Sequence, residues 1–361
     1  MESRIKVLHV VESFGGGVAT ALAQYAKATP GVEHHLLRSV RVGDFADGGE
    51  LAEFSSVDDL PRTPVAARKK IRQTFKQVQP EIVHAHSSFG GLFTRISVRA
   101  TKKVQIVYTP HGYSFERRDI SAFNRSLYRS VEAALSFNTS NYAACSPREA
   151  ELSKKLSRRS VVSYVPNVLE EIPAHFLPDE RDPAEHRVVS VGRLTAARDP
   201  MFFLKVVAAV KSVDPSIVFT WVGDGEESYK RQLIDAGVEV TGWLTRSKAW
   251  SVLRSSDTHI HTSAWDGFPM VLLEANQARV PSLVRDIDPF AGVHKNLRSE
   301  TPEEMALKVL QLRSQDSRAD VLGLWDDFLR DNTIAVQRAR LMEIYEPIVL
   351  GAANSYSSRN K

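Results

Sequence analysis

The sequence predicts an α/β fold made of two successive doubly wound domains, and three observations carry that expectation. Short apolar runs alternate with helix-length segments almost from end to end, the pattern of parallel strands joined by right-handed helical crossovers. At 361 residues the chain exceeds what one hydrophobic core usually serves. A break at residues 166–186, PNVLEEIPAHFLPDERDPAEH, is rich in proline and acids, and the alternation restarts after it.

Residues 5–11 form an apolar run ending in glycines, and 18–28 follow with helical spacing. Strand-like runs recur at 35–37, 81–84, 104–108 and 142–144, with helix-length patterns such as 65–78 and 122–136 between them. These make residues 1–165 the first domain and 166–186 the linker. The second domain, 187–330, opens on a strand at 187–191, a helix at 200–212 and a strand at 217–222. A strand at 238–241, a helix near 248–255, a strand at 258–261, a helix after Phe268 and a strand at 281–284 complete its pattern. Residues 302–348 read as helices, and the polar tail 354–361 as disordered. In open α/β sheets a ligand sits beyond the carboxyl ends of the strands. Two such domains facing each other put the expected site in the cleft between them.

Composition narrows the function classes. With 43% hydrophobic and 25% charged residues the chain reads as a soluble globular protein, and no run of 18 apolar residues marks a membrane span. Its start, MESRIKVLHVVESFGGG, reads as a first strand and not as a signal peptide. Cys145 is the single cysteine, which excludes an internal disulfide and points to a reducing, cytoplasmic compartment. The net charge of +4 hides an asymmetry: residues 1–165 hold 24 Lys and Arg against 15 Asp and Glu, while residues 166–361 hold 23 against 28. Solvated helix faces explain such an excess, and so does an N-terminal half resting on the anionic inner face of a membrane or on an anionic acceptor. No nucleic-acid motif accompanies the charge, so nucleic acid is not an expected partner.

Several segments after predicted strands carry chemistry. Gly15, Gly16 and Gly17 follow the first strand; glycines there admit close backbone approach, and a helix start favours phosphate. The spacing is not G-x-G-x-x-G, and a tight turn is the plainer reading. Arg193, with Arg198 five residues on, offers two guanidiniums able to clamp a diphosphate, unless both are simple surface residues. Gly223-Asp224-Gly225 is explained by a turn. In WDGFPMVLLEANQARVP, residues 265–281, Pro269 suits the first turn of a helix, leaving the amides near Met270 and Val271 to bind a phosphate or sugar oxygen. Glu274 is placed to accept from a ribose diol; the plainer alternative makes Asp266 a helix cap and Glu274 a helix former. As a glycosidase pair Asp266 and Glu274 would be roughly 12 Å apart along a helix, too far for about 5–9.5 Å. His111, in TPHGY after a strand, sits where function concentrates. His84 and His86 point to the same side of their strand, but no third metal ligand is evident. Asp286-Ile287-Asp288 matches the D-x-D form by coincidence.

Together these residues resemble the family 4 retaining glycosyltransferases of bacterial polysaccharide and lipopolysaccharide type, which have the GT-B fold of two facing Rossmann-like domains. The likeness runs from residue 5 to about 345. It rests on HVVESFGGGVATAL, EIVHAHS, TPHGYSF, Val165-Pro166-Asn167, Val191-Gly192-Arg193-Leu194 with Arg198, and Asp266-Gly267-Phe268-Pro269 with Glu274-Ala275. The resemblance implies that Arg193 and Arg198 hold the donor diphosphate and Glu274 the ribose. It implies that Asp266, with the amides of Gly267, Phe268, Met270 and Val271, contacts the transferred sugar and phosphate. Gly16 and Gly17 would approach the diphosphate, and His111 the sugar or acceptor near the reacting carbon. A last helix, about 334–348, would pack back onto the first domain. The chain departs from the family in having Asp266 for Glu, Arg198 for Lys, and Arg279 where Gly is common.

The resemblance therefore implies transfer from a nucleotide sugar, UDP-sugars favoured, to a saccharide or polyprenyl-linked acceptor, with retention and without metal or other cofactor. A nucleotide-sugar epimerase, distinguished by a product formed from donor alone, and a non-catalytic nucleotide-sugar-binding subunit are the competing readings.

Overall fold

The computed structural model describes residues 4–40, 49–171 and 185–346. Positions 172–184 of the linker, residues 347–348 of the last helical stretch and the 354–361 tail lie outside the described residues. The chain divides into two units, Met1–Val168 with Asn332–Lys361, and Leu169–Asp331.

The first unit is a seven-stranded parallel sheet. Its elements are β1 (Lys6–Val11), α1 (Gly16–Ala28), β2 (Glu33–Arg38), β3 (Ser56–Asp59), α2 (Pro64–Val78), β4 (Ile82–His86), α3 (Ser87–Ser97), β5 (Gln105–Thr109), α4 (Ala122–Leu135), β6 (Asn141–Ala144), α5 (Pro147–Leu156) and β7 (Val161–Tyr164). The strand order is β3-β2-β1-β4-β5-β6-β7, with every pairing parallel. Order therefore runs outward in both directions from a switch between β1 and β4. Central strands such as KVLHVV are buried because helices cover both faces, which is why they read as continuous apolar runs. One core layer joins Val7, Ile82 and Val107 to Tyr25 and Ala28 of α1 and to Leu341, Ile344 and Tyr345 of a final helix. The layer on the other face joins Leu8, Val10 and Val83 to Ala67 and Ile71 of α2 and Phe93 of α3.

The second unit holds β8 (Arg187–Val191), α6 (Pro200–Lys211), β9 (Val218–Val222), α7 (Glu227–Asp235), β10 (Glu239–Val240), α8 (Arg246–Arg254), β11 (Thr258–His261), α9 (Met270–Gln277), β12 (Ser282–Arg285), β13 (Arg298–Ser299), α10 (Pro302–Gln311) and α11 (Gln315–Phe328). Its order, β10-β9-β8-β11-β12-β13, places a second switch between β8 and β11. The final helix, α12 (Ile334–Tyr345), belongs to the first unit. Prolines at the first turn and side-chain caps start the helices, as with Asp199 accepting from the Phe202 amide at α6 and Thr333 from the Val336 amide at α12.

The structure adds strands that the apolar pattern does not mark. β3, with sequence SVDD, and the two-residue β13 are short and polar, the usual form of strands near a sheet edge. Helix α1 opens at Gly16, two residues before its apolar spacing begins, because its first residues are exposed.

Candidate active site

In the second unit the charged candidates gather at the switch. Arg193 and Arg198 lie on the connection leaving β8, and Asp266 on the connection leaving β11, so they occupy the crevice position of an open α/β sheet. Arg198 Nη1 donates to Asp266 Oδ2, and to Ser263 Oγ at 2.8 Å. His261 Nε2 donates to the same carboxylate at 3.2 Å, and the Gly267 amide donates to Asp266 Oδ1 at 2.8 Å. Burial raises the Asp266 proton affinity, but the Arg198 charge and the His261 hydrogen bond outweigh it and hold the carboxyl well below the usual range. Asp266 does not cap α9: Pro269 holds the N-cap position, and no side chain accepts there. The plainer alternative of a capping aspartate is thereby replaced by one of an ion-paired aspartate.

Glycines make this arrangement physically possible. Gly192 has φ +149, and a Cβ there would lie 3.0 Å from Arg198 Nε, across the path of that side chain. A Cβ on Gly223 would come within 2.2 Å of the Gly192 carbonyl oxygen, and one on Gly225 within 2.3 Å of the Leu194 oxygen. The Gly223-Asp224-Gly225 segment is thus more than a turn: two loops cross backbone to backbone, with a parallel bridge between Leu194 and Gly225.

Arg193 lies with its guanidinium carbon 5.8 Å from the Trp243 ring centroid, a cation–π contact from the segment after β10. Glu274, in the second turn of α9, sits 4.0 Å from Arg246, whose guanidinium covers the Trp250 ring at 4.6 Å. Burial raises the Glu274 proton affinity, with Arg246 and Trp250 acting against it. Gly267, Phe268, Pro269, Met270 and Val271 are buried around the start of α9, and Phe268 stacks on Phe328 at 6.4 Å. Asp286 accepts from Arg298 at 2.8 Å, a structural pairing for the D-x-D stretch.

In the first unit, Gly16 has φ +52, and it and Gly17 are the exposed opening residues of α1. His111, just after β5, also adopts the left-handed region at φ +52, an uncommon conformation for a side-chain-bearing residue and one found often at functional sites. Glu149 fixes this turn: its carboxylate accepts from the Gly112 amide at 2.7 Å and the Cys145 amide at 3.0 Å. Behind His111 stands a row of imidazoles. His111 Nε2 lies 3.2 Å from His86 Nδ1, His86 Nε2 3.0 Å from His9 Nδ1, and His9 Nε2 2.9 Å from His34 Nδ1. Burial pushes His111 and His34 down to about 4 and holds His9 and His86 low, so the row is neutral at pH 7.

His9 from β1 is the third imidazole that sequence spacing did not reveal beside His84 and His86. It pairs directly with His84 across the sheet. The nitrogens of all three are engaged, however. His84 bonds Tyr345 and Thr109 at 2.8 Å each, and His86 and His9 bond within the row. The cluster is satisfied as a hydrogen-bonded one.

Sequence reading did not single out His261, Arg246, Trp243 or Glu149. His261 ends β11 five residues before Asp266, Arg246 opens α8 and Trp243 follows β10, and none of the three carries a local signature. Glu149 had one: the Ser146-x-x-Glu149 spacing of a helix start, where Ser146 caps α5 by accepting from the Glu149 amide.

Two doubly wound parallel-sheet units, with the charged candidates at the second unit's switch and the glycine opening at the first unit's, define a two-domain α/β protein of GT-B architecture. Glycosyltransferase family models match both units: residues 15–171 match the one described as Glycosyltransferase Family 4, and residues 185–315 that of Glycosyl transferases group 1. The Escherichia coli UDP-Gal:alpha-D-GlcNAc-diphosphoundecaprenol alpha-1,3-galactosyltransferase is 25% identical over 243 residues, 61% of this chain and 62% of that relative. This match thus spans less than two thirds of the relative's length. Anabaena HepE in complex with UDP-glucose has a similar structure, with TM-score 0.69 at 15% identity over 97% of this chain and 100% of that one. The lipopolysaccharide outer core galactosyltransferase WaaB, in its apo form, gives TM-score 0.64 at 17% identity over 96% and 100%. At such identities the two structures speak for the fold alone. Among the described residues no helix is long and apolar enough to cross a membrane.

Proposed function

We propose that this protein transfers a glycosyl group from a UDP-sugar to a hydroxyl of a saccharide or polyprenyl-linked acceptor, with retention and without a metal. The observation that carries the proposal is the Arg198–Asp266 pair at the β8/β11 switch, with Arg193 on the same connection after β8, in a chain that matches glycosyltransferase family models. Breaking the bond from the sugar's anomeric carbon to the diphosphate leaves negative charge on the departing phosphate. Arg193, Arg198 and the uncapped start of α9 stabilise that charge by preorganised donors. In this reading they supply the positive charge that a divalent cation would otherwise bring, and activity survives chelation.

Asp266, ionised and oriented by three donors, accepts from hydroxyls of the transferred sugar, and Glu274 from the ribose. The acceptor oxygen forms the new bond on the face the phosphate leaves, and its proton passes to a phosphate oxygen. That outcome suits a site whose aspartate is committed to hydrogen bonds and not to nucleophilic attack. His111 contacts the sugar or the incoming hydroxyl. The names of the E. coli relative and the HepE complex, UDP-Gal and UDP-glucose, support a UDP donor.

A lipid-linked acceptor suits the basic first half and the outer face of α4. There Phe123 is 77% exposed, Leu127 48% and Val131 37%, at i, i+4 and i+8, with Arg125 and Arg129 nearby. An apolar stripe turned outward beside arginines fits the surface of an anionic bilayer.

The test is turnover of UDP-sugars by wild type and by Arg193→Ala. Loss of one donor at the leaving phosphate is expected to cost about a hundredfold to a thousandfold in kcat, with an unchanged melting temperature. Near-wild-type turnover would remove the phosphate clamp from the mechanism.

A further inference from the structure

The imidazole row has a direction. Thr29 Oγ1 lies 2.8 Å from the Tyr25 carbonyl oxygen and 2.9 Å from His34 Nε2. A carbonyl oxygen only accepts, so the one hydroxyl proton of Thr29 points at Tyr25. The same hydroxyl must then accept from His34, which fixes a proton on His34 Nε2. A neutral imidazole has one proton, so His34 Nδ1 is an acceptor, and His9 must donate to it from Nε2. The logic repeats: His9 Nδ1 accepts from His86 Nε2, and His86 Nδ1 accepts from His111 Nε2. His9, His34 and His86 are buried, which leaves no water route by which one ring changes tautomer without its neighbours. His111 is half-buried at the end of the row, and its Nδ1 has no partner among the described residues.

We propose that Thr29 and the three buried histidines are positioning residues that lock His111 as the Nε2–H tautomer and present its Nδ1 lone pair to a hydroxyl of the sugar or acceptor. The consequence for turnover rests on the reading of His111 as a contact of the reacting groups; the tautomer itself does not. The row spans the sheet, from the C-terminal end of β5 through β4, β1 and β2 to the end of α1, so the residue that sets it lies well away from His111 in the fold. His111 so held receives hydroxyl protons and cannot donate from its free nitrogen. It selects a ligand that offers an O–H at that point over one that offers only an ether or carbonyl oxygen.

The experiment is long-range proton–nitrogen NMR of the full chain with ¹⁵N-histidine, without ligand, followed by turnover assays. In the wild type His9, His34, His86 and His111 are expected as Nε2–H tautomers. Thr29→Val removes the hydroxyl that accepts from the buried His34 N–H, the one side-chain acceptor at His34 Nε2 among the described residues. The least costly response is reversal of the whole row, which moves the unmet group to a lone pair and gives His111 a proton on Nδ1, where water can accept it. Turnover then falls by about tenfold or more, and Thr29→Ser, which keeps the hydroxyl, restores both the spectrum and the rate. A wild-type His111 protonated on Nδ1, a mixture of tautomers, or nitrogen shifts of a metal-bound ring at His9, His84 or His86 would overturn the relay without recourse to any variant. A reversed row with unaltered turnover would leave the relay intact and overturn the role given to His111.

Discussion

Asp266 carries three donors on one carboxylate, and each comes from a different place in the chain: Arg198 after β8, His261 at the end of β11, and the next residue's own amide. Because these partners depress its pKa in the folded state, Asp266 stabilises the protein above the ordinary carboxylate range near 4, and that stabilisation is lost as pH falls through the lower, folded value. Asp266→Asn is therefore expected to cost about 1–2 kcal/mol at pH 7, since the site is partly open to solvent, and the gap to wild type should narrow as pH is lowered from 5 to 3. Urea midpoints at pH 7, 5 and 3 measure it; a gap that widens in acid would mean that the ion pair does not govern this residue. At this scale sequence showed which side chains had chemistry to offer. It could not show that Asp266 and Arg198 touch, because pairing between two strand connections leaves no mark on local spacing, and His261, five residues before Asp266, belongs to no motif of its own. Arg279, which departs from the family's usual glycine, is explained by its backbone. It stands in the left-handed region at φ +58 after α9, where glycine is unstrained, and binds Asp326 through Nη1 at 2.9 Å to both carboxylate oxygens.

Among the elements, central strands were legible because burial on both faces makes them largely apolar, whereas β3 and β13 were not, since these short edge strands, SVDD and RS, are built mostly of polar residues. Helix α4 was legible as a helix but not in its orientation. Its periodicity marks an apolar face, and ordinary packing would turn that face inward. In the structure its buried residue is Glu132, which accepts from Arg95 at 2.8 Å and from the Tyr108 hydroxyl at 3.1 Å, with the Arg95 guanidinium over the Tyr108 ring. This polar pin holds the helix with Phe123, Leu127 and Val131 outward. Replacing Phe123 and Leu127 together by Ser removes two apolar side chains worth about 1.5–3 kcal/mol each when fully buried. Partition onto anionic vesicles at low salt should drop at least about tenfold, while the melting temperature changes little because neither residue packs in a core. Vesicle binding equal to wild type would show that α4 does not meet the lipid.

Over the whole molecule, the alternation of strands and helices reveals two doubly wound units, but chain order does not reveal which unit owns the last helix. Helix α12 follows the second unit in sequence and belongs to the first, where Leu341, Ile344 and Tyr345 are at most 3% exposed in the same core layer as Val7 and Tyr25. The return is tied at its start, with Asn332 donating to the Asn167 carbonyl at 2.8 Å and Gln337 to the Pro166 carbonyl at 2.9 Å. Tyr345 then donates to His84 Nδ1: the Thr109 hydroxyl is committed to the Ala143 carbonyl at 2.8 Å, so His84 must donate from Nε2 and accept at Nδ1. Ending the chain at Asp331 would expose this layer and leave His84 one partner short. Three large buried side chains contribute on the order of 5–8 kcal/mol, comparable with the whole stability of an ordinary domain. The shortened protein is thus expected to keep hydrogen-exchange protection in β8, β9 and β11 and to lose it in β1, β4 and β5. Protection of β1 equal to that in the full chain would mean that the first sheet stands without its returning helix, and that the two crossings of the chain are a matter of connection and not of stability.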